Sequence, residues 1–462
     1  MSKQPLIAHI VVIAGQSNAV GVGHVDCLPV HFDAARIEKW TEGYANVPIN
    51  YYSHDKKSGG FVPTGIGCTE LTKRTIGPEL GIAEELDRRF PEGNYYIVKC
   101  AFGATSLWCD WLSPSCGGKY GRGGEELLKA VKLNDGMGDP ANAGWCYWEL
   151  VKLLRESIAA LEAKGMAPSV KAFCWMQGEG DADVPEHAEK YEERYAGLIG
   201  DFCDDFRGYI DENCVFADAG ISTVWPHHVW VNDIKRRFAS ERENCVFIDT
   251  IAAGLTTEKE PFGAPDIYHY DSDSVIRLGQ LFTEAFLGPE FRLELEDNEW
   301  PFEFTDHDRD IVRAIVFDDD GLFYFVRAVR NDIFGEATLI ETSGGGVEPG
   351  EDQVQAIKRE LAEELGVSVR VLAKLGVVSD YYNLIHRHNI NNYFLCKVTG
   401  FGDRHLTQEE VECYHLSTLR LTFDEAVREY GANSSSRLGR LVANRELPVL
   451  QRAGVMLKIL NK

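Results

Sequence analysis

The sequence predicts two α/β domains in one chain: a parallel sheet covered by helices, then a second domain that opens on a β-hairpin. Three observations carry that reading. Short, apolar, β-rich runs alternate with helical segments up to about residue 290, the order that builds a parallel sheet covered by helices. The acidic stretch at 288–304 then breaks the alternation. Beyond it, the run 310–329 reads as two strands around Asp319-Asp320-Gly321, a hairpin signal. A chain of 462 residues is long enough for two or more domains.

The first-domain strands are expected at 7–15, 94–102, 169–177, 213–220 and 244–251. The helical stretches between them cover 78–90, 147–165 and 187–206. In the second domain, strands are expected at 369–382 and 391–401, and late helices at 422–431 and 435–447. The domains are placed at 1–290 and 305–462, with 291–304 as the junction. Phe291, Leu293, Leu295, Trp300, Phe302 and Phe304 make that junction apolar, so it is expected to pack instead of swinging in solvent.

A net charge of −25 argues against binding to nucleic acid or to an anionic membrane. No apolar run approaches the length of a bilayer span. The apolar start of the chain lacks an A-x-A-like cleavage site and is needed as the first strand, so no signal peptide is read. The twelve cysteines form no CxxC pair and no zinc spacing with histidine, and several lie inside apolar strands. Buried free thiols in a reducing cytoplasm fit that distribution. The expected partners are small molecules; homo-oligomerisation is left open.

The stretch GGVEPGEDQVQAIKRELAEELGV holds the densest information. Asp352 or Glu351 stands where an N-cap carboxylate belongs, and Gly366 where a C-terminal glycine belongs. Val354, Ile357, Leu361 and Leu365 follow helical spacing and form a buried stripe. Glu360, Glu363 and Glu364 cluster on another face, where like charges repel unless a hard cation joins them. Gly345, Glu351, Arg359, Glu360, Glu363, Glu364 and Gly366 fall in one register that resembles the Nudix box, the signature of hydrolases that cut a nucleoside diphosphate linked to another group. The resemblance implies an α/β/α Nudix fold with a mixed sheet, Glu360, Glu363 and Glu364 as ligands of Mg²⁺ or Mn²⁺, and an Arg359–Glu351 ion pair bracing the motif. The general base is sought among Glu409, Glu410 and Glu412. Tyr381 and Tyr382 suit either base stacking or a core strand.

In the first domain, HIVVIAGQSNAVGVG puts Ser17 at the exit of the first strand. It is not a GxSxG elbow, because position 19 is alanine. Together with the Gly-Pro helix start at 77–78, CAFGATSL, WMQGEGDA and Asp266-x-x-His269, it resembles the SGNH-type carbohydrate esterases typified by sialate O-acetylesterases and acetylxylan esterases, over roughly 6–287. The resemblance implies a flavodoxin-like parallel sheet with helices on both faces and a serine esterase that removes small acyl groups from a sugar. By it, Ser17 is the nucleophile, His269 the base and Asp266 its orienting partner. The oxyanion hole would be the N–H groups of Ser17 and Gly103 with the Gln177 side chain. Glu179 and Asp181 are expected to order their loop. His227 and His228, between Trp225 and Trp230, suit a substrate mouth or a packed loop. Trp108 and Trp111 suit sugar stacking or a core. No cofactor is expected at this site. The alternative to a bifunctional hydrolase is a chain in which one domain only binds or senses a ligand.

Overall fold

The computed structural model describes residues 5–54, 56–68, 75–119, 138, 140–258, 260 and 266–460. The chain divides into two compact units, Met1–Asp87 with Asn94–Pro289, and Glu290–Lys462 with Arg88–Gly93.

In the first unit, β1 (Ile7–Gly15), β2 (Tyr44–Ser53), β3 (Tyr95–Ala101), β4 (Ala167–Met176), β5 (Ile210–Ala219) and β6 (Cys245–Ile248) lie in the order β6-β5-β4-β1-β3-β2. Every one of these pairs is parallel. Two short pieces, Lys56–Lys57 and Val62–Thr64, add antiparallel to β2. Strand β1 is apolar and buried along almost its whole length, as a strand covered on both faces must be. Strand β2 was not expected from the sequence. Its Pro48 and its asparagines hide the strand pattern.

The helices that frame the site are α1 (Ser17–Val20), α2 (Pro78–Arg89), α3 (Trp145–Glu162), α4 (Tyr191–Asp205), α5 (His228–Ser240) and α6 (Ser272–Leu287); Ala34–Glu42 and, among the described residues, three shorter α-helices lie between them. The helical stretch expected from 187 is broken into Pro185–Glu189 and α4. The chain runs from β1 to β3 on one side and later crosses to β4 on the other. The helices divide between the two faces, α2 with α6 on one and α3, α4 and α5 on the other. The helix neighbours agree. A Cβ on Gly81 of α2 would lie 2.1 Å from the Ile276 carbonyl oxygen of α6, whereas α4 touches α3 and α5. Strand order therefore reverses at β1, and the carboxyl ends of β1, β3 and β4 frame the crevice where open α/β sheets bind ligands.

In the second unit, β7 (Arg292–Leu295), β8 (His307–Phe317), β9 (Phe323–Asp332), β10 (Gly335–Glu341), β11 (Gly344–Gly346), β12 (Val367–Tyr382), β13 (Arg387–Phe401) and β14 (Ser417–Leu421) form a mixed sheet in the order β7-β12-β13-β8-β9-β10. The expected β8–β9 hairpin pairs only at Val316–Tyr324 and Phe317–Phe323. Beyond those pairs, β11 lies against β8 and β14 against β9. The remaining helices are α7 (Gln353–Leu365), α8 (Phe423–Asn433) and α9 (Arg437–Leu460), the last continuing through Pro448. Side-chain alternation along β8 assigns the layers. Val312, Ala314 and Val316 pack on Ile357, Leu361 and Leu365 of α7. Arg313 points the other way, to Glu446 of α9.

The stretch read as a junction contributes β7, which pairs parallel with β12. Asp297, buried, accepts the Asn383 N–H at 2.8 Å. Among the described residues no helix is long and apolar enough to cross a membrane. All twelve cysteines are free, most of them buried.

Candidate active sites

Gly15 ends β1 with φ +141°, and a Cβ there would lie 1.9 Å from the Met176 carbonyl oxygen. Only glycine permits this approach of β1 to β4, and it turns the chain so that Ser17 opens α1 at the sheet's carboxyl edge. Gly103 follows β3, and a Cβ built on it would lie 3.8 Å from Ser17 Cβ. Neither backbone N–H, of Ser17 or of Gly103, donates to another described group. His269 and Asp266 come from the loop before α6, joined by Nδ1···Oδ2 at 2.6 Å. Burial pushes the Asp266 carboxyl up. The hydrogen bond and charge of His269, with the N–H groups of Tyr268 and His269, outweigh it and leave the group below its usual range. Among the described residues Ser17 Oγ makes no hydrogen bond, so the serine–imidazole bond is not formed in this state. Such bonds often close only with substrate.

Asn18, to which the sequence reading gave no role, ties the two halves of this constellation. Its side-chain oxygen accepts the Tyr270 N–H at 3.0 Å, and its amide donates to the Tyr268 carbonyl at 3.4 Å and to Glu179 Oε1 at 2.8 Å. The residues on both sides of His269 are thus hooked to the residue after Ser17. Burial pushes the Glu179 carboxyl up, and the Asn18 bond opposes it.

Gln177 requires a correction. Its Nε2 carries two hydrogens and already faces Asp181 Oδ2 at 2.6 Å, with Gln16 Oε1 and Thr105 O at 3.3 Å. Its oxygen accepts from Tyr191 at 3.2 Å, and the residue is fully buried. The side chain is therefore a brace, with no hydrogen left for an oxyanion. Asp181 takes the other end, accepting the Leu107 and Trp108 N–H groups at 2.8 and 2.9 Å. Burial pushes it up to about 6 against those bonds. Behind it, Lys235 donates to Gln177 O, Asp218 Oδ1 and Ala219 O at 2.5, 2.7 and 2.7 Å.

The aromatic residues divide. Trp111 is fully buried and donates to Thr105. Trp108 carries His187 stacked at 4.5 Å and the Arg194 guanidinium at 3.7 Å, a packed arrangement. Trp225 lies 5.3 Å from the ring of Tyr268, which is 49% exposed beside His269, so this pair borders the serine site. His228 binds the Trp225 carbonyl, and His227 sits edge-on to Trp230.

In the second unit, Asp352 caps α7 in a full capping box with Gln355, and Gly366 closes it with φ +66°. Arg359 grips Glu351 through Nε at 3.1 Å and a terminal nitrogen at 3.0 Å, and also donates to the Gly346 carbonyl at 3.1 Å. Its remaining nitrogen holds Glu360 at 2.8 Å and Glu363 at 3.3 Å. A Cβ on Gly345 would lie 2.4 Å from Glu360 Oε1, so any side chain there would push the Glu360 carboxylate aside. Glu364 accepts the Gly344 N–H at 3.1 Å. Burial pushes its carboxyl up to about 7, helped by the Glu360 charge. Burial also raises Glu360, with the charges of Glu363 and Glu410 adding to it. Among the described residues no three ligating side chains already converge on one point. Arg359 holds two of the three glutamates instead.

The donor set still fits a hard dication: three carboxylates within one helical turn, two of them raised first by burial and then by neighbouring carboxylate charge. Of the three, Glu364 lines a cavity of about 320 Å³. Its wall includes Glu364, Glu410, Tyr382, Arg309, Arg313 and Arg387. Of the three glutamates sought as base, Glu410 reaches the cavity, with its Oε2 accepting the Thr407 N–H at 2.7 Å. Glu409 is bonded to Tyr414 and Glu412 to Gln408. Tyr382 faces the cavity too, while Tyr381 stacks on His388.

Comparison with known proteins agrees with both halves. The family profile "Carbohydrate esterase, sialic acid-specific acetylesterase" matches residues 7–288. The NUDIX domain profile matches residues 307–438. A CTP pyrophosphohydrolase of Escherichia coli (strain K12) is 42% identical over 62 residues, which are 13% of this chain and 44% of that protein, so the chain spans less than half of its length. Among solved structures, a protein from Arabidopsis thaliana is 18% identical with a TM-score of 0.40, covering 61% of this chain and 98% of its own. NanS is 16% identical with a TM-score of 0.39, covering 62% and 98%. A NUDIX hydrolase from Nitrosomonas europaea is 21% identical with a TM-score of 0.24, covering 27% and 79%.

Proposed function

Because the chain belongs to the sialic acid-specific acetylesterase family of carbohydrate esterases and carries a Nudix domain after it, we propose that it hydrolyses two kinds of bond at two sites: a small acyl ester on a sugar, and the diphosphate of a nucleoside derivative. The observation that supports the first half is the Asn18 bridge, which hooks the residues on both sides of His269 to the residue after Ser17. In this reading Ser17 Oγ attacks the acyl carbon as its proton passes to His269. Asp266 fixes the imidazole and stabilises its charged form. The Ser17 and Gly103 N–H groups receive the oxyanion. His269 then returns the proton to the departing alcohol, and water repeats the sequence on the acyl-serine.

At the second site, Glu360, Glu363 and Glu364 would hold Mg²⁺ or Mn²⁺. When bound, the ion supplies electrostatic stabilisation of charge developing on the phosphates. Binding would draw Glu360 and Glu363 from Arg359, which keeps its grip on Glu351 and so holds the helix in place. Arg309, Arg313 and Arg387 offer positive charge to the diphosphate. Glu410 is the proton acceptor within reach of the cavity. A chain with one silent domain is the competing reading, and two intact residue sets disfavour it.

The test is direct. Wild type should hydrolyse p-nitrophenyl acetate and acetylated sugars, and Ser17→Ala should not. Equal rates for the two proteins would remove the esterase reading. A screen over nucleoside diphosphate sugars, ADP-ribose, dinucleotides and nucleoside triphosphates, with and without chelator, tests the other half.

A further inference from the structure

We infer that His54 is the wall of the acyl pocket and restricts the serine site to acetyl esters. The inference rests on the esterase reading and deepens it. His54 follows β2, and its backbone N–H donates to the Ala101 carbonyl at the end of β3. Its φ is +52°, and Ala104 in the adjoining loop has φ +56°. Among the described residues only four non-glycine residues sit in the left-handed region, and two of them meet here. Such backbone is retained where surrounding structure demands a particular side-chain position.

The position it secures can be measured. A methyl carbon built on Gly103 would lie 3.5 Å from His54 Cε1 and 3.8 Å from Ser17 Cβ, and, chain neighbours aside, no other described atom lies within 4 Å. Both are ordinary van der Waals distances, so a methyl group at this point touches the imidazole ring and the serine side chain at once. Topology decides what enters this space. On the β4 side, Asn18 joins Glu179, which follows β4, to Tyr268 and Tyr270, the neighbours of His269. His54 approaches from the β3–β2 side. The leaving alcohol must face His269 to collect its proton, and the oxyanion must face the Ser17 and Gly103 N–H groups. The remaining substituent of the acyl carbon points toward His54. An acetyl methyl fits there, and a longer chain meets the ring.

The experiment compares kcat/KM for p-nitrophenyl acetate and p-nitrophenyl butyrate in wild type, His54→Gly and Gly103→Ala. Glycine at 54 accepts the left-handed backbone, and alanine at 103 needs no positive φ, so both variants should melt near wild type. Wild type should prefer acetate. His54→Gly should raise the butyrate-to-acetate ratio at least about tenfold, with butyrate turnover rising, the scale of one or two methylenes in a pocket. Gly103→Ala should lower acetate turnover at least about tenfold by filling the gap. An unchanged ratio in His54→Gly, or equal losses on both esters, would overturn the acyl-wall role and leave the esterase reading standing. Absence of ester hydrolysis in wild type would instead overturn the esterase reading, and this inference with it.

Discussion

Replacing Lys235 with methionine probes the support beneath the serine site. The Lys235 ammonium is fully buried and holds three acceptors, one of them the buried Asp218 carboxylate. Removing one partner of such a pair costs about 3–5 kcal/mol, because the other is left charged and dry. Asp218 can escape by taking a proton. Burial already pushes it up to about 6, with Lys235 opposing. Its folded value lies above its unfolded value, so its contribution to stability falls as pH rises from about 4 to about 6 and is flat above. A rise of that size corresponds to about 3 kcal/mol. Without Lys235 the window extends above pH 6. The penalty of Lys235→Met should therefore be near its full value at pH 8 and much smaller at pH 5. Urea unfolding followed by tryptophan fluorescence reads this out, since eight of the nine tryptophans precede residue 290. Adding Asp218→Leu should recover most of the loss. A penalty below about 1 kcal/mol at pH 8, or an equal one at both pH values, would refute the argument.

Three other perturbations follow from the geometry. Asn18→Ala should unhook the loop carrying Asp266 and His269 and lower kcat for ester hydrolysis by about a hundredfold, with little change in KM, as expected when misplacement of a catalytic group is the defect. A rise in KM alone would assign Asn18 to substrate binding. Gly345→Ala should force Glu360 aside, since the new carbon would lie 2.4 Å from its carboxylate, and abolish diphosphate hydrolysis while sparing ester hydrolysis. Trypsin should cut slowly after Arg292, which lies in paired strand β7; rapid native cleavage there would show that this strand is not held on the second sheet.

What was legible in the sequence was mostly local. The capping box, the stripe Ile357–Leu361–Leu365 and the Arg359–Glu351 pair are fixed by neighbours along one helix and its entry loop. The choice of Asp352 over Glu351 as cap needed coordinates, because Glu351 is committed to Arg359. Ser17, Asp266 and His269 were legible as residue types at strand and helix ends. Gln177 was misread because the direction of its amide is set by Asp181, whose carboxylate sits four residues on and is itself committed to the Leu107 and Trp108 N–H groups. His54 left no sequence signal, since its left-handed backbone and its place across from Gly103 come from the packing of β2 beside β3. The Lys235–Asp218 pair was hidden for the same reason, one partner on a helix and the other on a strand.

The central claim is that two hydrolytic sites work independently on one chain. It is tested most directly by assaying p-nitrophenyl acetate and a nucleoside diphosphate substrate side by side in wild type, Ser17→Ala and Glu364→Gln, each with and without EDTA. Ser17→Ala should lose only ester hydrolysis. Glu364→Gln and EDTA should each remove only diphosphate hydrolysis. Loss of both activities in either variant, or ester hydrolysis that disappears with EDTA, would contradict the account.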